Sequence, residues 1–154
     1  MLLQAPASTP LPGARPELVA QARAQLMAGA PGALLGTAPA GIAAWLWRSW
    51  WRCLGAGRAS SERVEFNAVS REAQRRAQDQ HADLLRAARA VMAQLTSAVA
   101  GLGYFCLLTD DQGVVLEVQG ALDHADRRAL AVGRIGVDLS EPGVGTSAIG
   151  AALI

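Results

Sequence analysis

Few side chains in this sequence can do covalent or metal chemistry, and they are scattered. Two cysteines, Cys53 and Cys106, and two histidines, His81 and His124, are the soft ligands and nucleophiles present. None stands at metal-ligand spacing from another, and two cysteines are too few for a disulfide framework. The segment from Gly143 to Ala148, GVGTSA, has the G-x-G-x-x-A form of a dinucleotide fingerprint, in which glycines let the backbone approach a pyrophosphate at a helix N-terminus. Its context excludes that chemistry. Pro142 precedes it instead of a buried parallel strand, and no acidic ribose partner follows about twenty residues on. All 14 basic residues are arginines. Without lysine there is no Walker phosphate loop, no Schiff base and no pyridoxal enzyme. No serine, histidine and carboxylate set reads as a triad, so the sequence predicts no catalytic residue, no cofactor and no metal.

The composition suits one folded domain: 154 residues, 51% hydrophobic and 18% charged, with net charge +1. Unpaired cysteines fit a reducing compartment, which predicts a cytoplasmic location. Residues 1–100 hold eleven arginines against six acids, and residues 101–154 hold three against seven. That asymmetry is too dilute for a nucleic-acid footprint. Ala24 to Trp47 carries no charge, yet Gly29, Pro31, Gly32, Gly36, Pro39 and Gly41 interrupt it too often for a membrane span. The first ten residues lack the charged start of a secretion signal. Neither export nor insertion is expected.

Positioning elements follow from pattern. Residues 1–15, with three prolines among small residues, predict a disordered arm. Residues 16–56 read as an N-terminal helical segment, opened by Pro16 and first stopped at Gly29. After a linker rich in turn formers comes IAAWLWRSWWRCL, which holds all four tryptophans. Ile42, Leu46, Trp50 and Cys53 share one helical face, widened by Trp47, Trp51 and Leu54. Stacking on single-stranded nucleic acid beside Arg48 and Arg52, or lying in a membrane interface, needs more charge than these two arginines supply. Packing on the rest of the chain or on a second subunit is the preferred fate. A long helix is predicted from Ser70 to Leu102, with Leu85, Ala88, Met92, Leu95, Val99 and Leu102 as its apolar stripe, either core or dimer seam.

Beyond Gly103 the period changes. YFCLLT and VVLEVQ flank the turn formers DDQG, which predicts a β-hairpin. Pairing Thr109 with Val114 puts Phe105, Leu107, Leu116 and Val118 on an apolar face, and Tyr104, Cys106, Leu108, Val115, Glu117 and Gln119 on a mixed face suited to lining a cavity. LDHADRRALAVG reads as a short helix, and IGVDLSEPGVG as a loop into a helix starting near Thr146. A lone hairpin with both edges unpaired is marginal in water, so the expectation is a truncated sheet.

Four strings in order then carry a resemblance: RAQLMAG, Ser49 to Cys53 (SWWRC), Leu108 to Glu117 (LTDDQGVVLE) and Leu139 to Leu153 (LSEPGVGTSAIGAAL). Over roughly residues 21–154 the chain resembles the amino-terminal sensory region of sigma-54-dependent, Fis-type transcriptional activators of the acetoin-catabolism-regulator type. It departs from that pattern at Leu139, where the family carries an aromatic residue, and at Ser147, where it carries asparagine. The resemblance implies an α+β fold, with N-terminal helices followed at 64–154 by the first part of a GAF-like sensory domain: long helix, hairpin, helix. It also implies a regulator that binds a small-molecule effector as a homodimer. Contacts with DNA and RNA polymerase would belong to C-terminal domains outside these residues. Combined with the mixed hairpin face, it nominates Tyr104, Cys106, Leu108, Glu117, Leu139, Glu141 and Thr146 as ligand-binding residues. The alternative is a ligand-free dimerisation or interaction module. An enzyme ranks third.

Overall fold

The computed structural model describes residues 16–29, 37–58 and 62–153, so the expected arm and the first part of the linker lie outside the described residues. Pro16 opens α1 (Pro16–Met27), and Gly29, at φ +67°, ends it by returning its N–H to Leu26 O at 3.1 Å. Helix α2 (Ala44–Gly55) is the tryptophan helix. Ala22 and Leu26 of α1 pack on Ile42, Trp47 and Trp50 to make one hydrophobic cluster. Trp47 and Trp50 meet edge to face, centroids 6.2 Å apart, the geometry their quadrupoles favour. The aromatic stripe thus turns inward on the chain itself. Trp45 instead faces solvent, and Ser49 is fully buried.

The expected helix over 70–102 is two helices, α3 (Arg71–Gln80) and α4 (Ala82–Ala98). Ser70 caps the first by accepting from Ala73 N–H. At the junction, His81 (φ −106°, ψ 23°) still donates its N–H to Ala77 O and accepts from Leu85 N–H, so the departure is a kink rather than a gap. The far end stops four residues early. Gly101 and Gly103 both take positive φ, +82° and +73°, which turns the backbone out of the helix. Of the stripe, Leu85, Ala88, Met92 and Val99 turn inward on the chain, while Leu95 is 52% and Leu102 is 66% exposed.

The hairpin forms from β1 (Cys106–Thr109) and antiparallel β2 (Val115–Gln119), making the α+β composition an observed property. Gly113 at φ +87° supplies the turn, and the Asp110 carboxylate accepts from the N–H groups of Gln112 and Val114. The register differs from expectation by a bulge. Leu107 pairs with Val118 and Leu108 with Glu117, but Thr109 pairs with Val115, leaving Leu116 as the extra residue. The slip turns Val115 to the face of Leu107 and Val118 rather than to that of Cys106, and it is fully buried there.

The segment beyond α5 (Arg127–Val132) is more ordered than the expected loop. Val137 O accepts from Val115 N–H at 2.9 Å, Gly136 N–H reaches Val115 O, and Leu139 N–H reaches Gly113 O. On its other side the same strip bridges Ala68 to Val137, with Asp138 N–H bound to Asn67 O. The edge of β2 expected to be unpaired is therefore partly covered by residues 136–139. Val115, Val137, Leu139 and Val144 form the second hydrophobic cluster. It contains nothing from α3 or α4, although both contact the hairpin, so those helices approach the opposite face.

Candidate functional site

Two short helices bring the end of the chain against the tryptophan helix. Ser140 caps α6 (Glu141–Val144) by accepting from Gly143 N–H, and Ser147 caps α7 (Ala148–Ala152) by accepting from Gly150 N–H. Between them Gly145 adopts φ +78° and ψ −161°, open essentially to glycine alone. This corner carries the chain past α2. Gly150 lets α7 lie close, since a Cβ there would stand 3.2 Å from the Glu141 backbone and Cβ.

Glu141 lies buried at this junction. Arg52 Nε donates to Oε1 at 2.6 Å and Nη2 to Oε2 at 2.9 Å, a bidentate fork, and the Ser49 hydroxyl donates to Oε2 at 2.5 Å. The Arg52 guanidinium above all, helped by Ser49, holds the Glu141 carboxyl below its ordinary range, outweighing the upward push of burial. The carboxylate in turn raises Arg52. Ser49 Oγ also lies 2.8 Å from Thr146 Oγ1, and Cys53 Sγ lies 3.5 Å from that same oxygen. Because the single Ser49 proton goes to an acceptor-only carboxylate, Thr146 donates in the second contact and the Cys53 thiol in the third. The result is a directed line, Cys53 to Thr146 to Ser49 to Glu141.

That line opens onto a cavity of about 360 Å³ between α1, α2 and the α6–α7 corner. Leu46, Trp50, Val64 and Val144 supply apolar wall, and Cys53 and Thr146 a polar floor. Arg58, also at the wall, is engaged with the carbonyls of Pro142 and Gly143 and with Glu62 at 3.3 Å. A second hollow of about 500 Å³ lies on the far side of the Arg52–Glu141 pair, where Asp111, Asp138 and Glu141 give it acidic walls. Among the described residues no three His, Cys, Asp or Glu side chains converge as a metal site. His124 is exposed and His81 lies 3.9 Å from Asp111.

The seven nominated residues do not form one pocket. Glu141 and Thr146 are brought together through Ser49. Leu108 and Glu117 are cross-strand partners on the face with Cys106, approached by α4, and Gln119 donates to Glu117 at 2.6 Å. Leu139 is core, packed with Val115 and Val137, and Tyr104 is 66% exposed. Ser49, Arg52 and Cys53 were missed as site residues. The signal was their three-four spacing on the tryptophan helix, a polar row inside an apolar run.

Comparison with known proteins places this chain beside a regulator. It is 39% identical over 108 residues, 68% of its length, to the acetoin catabolism regulatory protein of Cupriavidus necator. The chain spans 16% of that protein's length. No family model matches, and no solved structure matches. Among the described residues no helix is long and apolar enough to cross a membrane.

Proposed function

We propose that this chain is the sensory portion of a cytoplasmic transcriptional regulator, a GAF-like unit of the sigma-54-dependent type that binds a small-molecule effector. The observation carrying this reading is the 39% identity to a catabolic regulatory protein. The cavity beside the Thr146 to Glu141 line supports it physically. An occupant touching Thr146 or Cys53 would disturb the hydroxyl line that joins α2 to the α6–α7 corner beside the Arg52–Glu141 pair, and so would bind two arrangements of that junction unequally. DNA and polymerase contacts would belong to other parts of such a regulator. The test is a promoter reporter in cells carrying the gene, scanned with catabolic substrates, acetoin first because the relative is named for its catabolism. Induction by one compound, with that compound raising the melting temperature of the chain, supports the reading, and silence toward all of them sinks it.

A second reading, a homodimerisation module, is favoured by a different observation. Leu84, Val91 and Leu95 stand outward on α4, spaced seven and four apart as in a helix-pairing seam, and Leu102 beyond the helix is exposed as well, each by 42% or more. Light scattering decides it: a dimer that Leu95→Glu converts to monomer supports pairing there.

A further inference from the structure

We infer that the cavity between α1, α2 and the α6–α7 corner is a carboxylate site, taking a small organic acid with an apolar body. This rests on the sensory reading and supplies its chemistry. Three observations carry it. First, the charged residues at the wall are Arg23, Arg58 and Glu62, and Arg58 donates both to Glu62 and to the α6 carbonyls. Arg23, on the exposed side of α1, has no ion-pair or hydrogen-bond partner among the described residues, so one guanidinium fork is free at the mouth. A planar fork matches a carboxylate bidentately, as Arg52 already does for Glu141.

Second, apart from the Cys53 and Thr146 floor, the side chains at the wall are hydrocarbon and indole, from Val19, Met27, Leu46, Trp50, Val64 and Val144. That lining favours an acyl chain or aromatic ring over a sugar or a phosphate ester, which would leave hydroxyls or further charges unpaired against apolar surface. Third, a volume of about 360 Å³ falls at the small end of the range for ligand sites. The hollow across the Arg52–Glu141 pair, where Arg52 is already neutralised by Glu141 and Asp111 and Asp138 remain, would repel the same ligand.

Calorimetry on the full chain tests this with benzoate and butyrate against benzamide and butyramide, which keep the shape and lose the charge. Saturable binding of an acid, absence of binding by its amide, and at least tenfold weaker binding in Arg23→Gln are expected. Val64→Trp, at a half-exposed wall position where folding is tolerant, should also abolish binding by filling the space. Acids that do not bind, or that bind Arg23→Gln and Val64→Trp as tightly as the parent, overturn the assignment. Those results would leave the sensory reading intact wherever a neutral metabolite still drives the reporter. Acid binding without any reporter response would uphold the site and sink the sensory reading.

Discussion

Arg52 and Glu141, 89 positions apart, meet through a 2.6 Å contact from Nε to Oε1, with Ser49 completing the shell of the carboxylate. Glu141 is almost wholly buried while the Arg52 side chain is 41% exposed, so the two ends are not equivalent. Removing the arginine leaves a buried carboxylate without its main donor. Removing the glutamate leaves a half-exposed guanidinium that water can reach and a Ser49 hydroxyl that can turn to Thr146. Arg52→Ala should cost about 2 kcal/mol and Glu141→Ala about 1 kcal/mol, measured by urea unfolding. Their double variant should cost less than the sum, because each has lost the same partner.

The same pair sets an acid dependence. Since Glu141 titrates lower in the folded chain than the ordinary value of 4.5, the unfolded carboxyl takes its proton first as pH falls. Stability from this group is fully present above that value and drains away as pH drops toward the folded value. Unfolding curves between pH 7 and pH 3 should show the decline in the parent and a smaller one in Glu141→Gln.

Gly113 combines two demands. Its φ is +87°, and a Cβ would stand 2.8 Å from Ser140 N, a backbone atom that cannot swing away. Gly113→Ala should therefore cost about 3 kcal/mol, whereas Gly101→Ala, at similar φ but facing open space, should cost about 1 kcal/mol. Thermal melts of the two variants check the difference.

The Asp126 cap offers a milder comparison. Its carboxylate accepts from the N–H groups of Arg128 and Ala129 on the exposed start of α5. Asp126→Ala should cost about 1 kcal/mol by urea titration, with no change in any ligand affinity because it borders neither cavity.

Local signals survived the passage from sequence to structure, and distant ones did not. Pro16, Gly29, Ser70 and Gly113 act through their own backbone or immediate neighbours, so helix starts, stops and the hairpin turn were legible. The bulge at Leu116 was not, because period-two alternation holds equally on either side of a slip and only the burial of Val115 against Val137 decides it. Glu141 and Thr146 were legible as site candidates through their string. Their partners Ser49, Arg52 and Cys53 were hidden inside a tryptophan-rich run whose hydrophobicity drew attention to the wrong side chains. Leu95 was placed on a stripe facing either the core or a second subunit, since a three-four row does not reveal which of two adjacent rows the neighbouring strands will cover.

The strip at 136–139, bonded on one side to 113–115 and on the other to 67–69, ties together two stretches that no continuous strand or helix connects. Deuterium uptake should accordingly be slow at Leu139 and Asp138, in a passage that looks like an unstructured connector, and slower there than along the regular but solvent-lapped turns of α3. Whatever loosens this knot, a ligand included, would release the hairpin and the lead into α3 in one event rather than in turn.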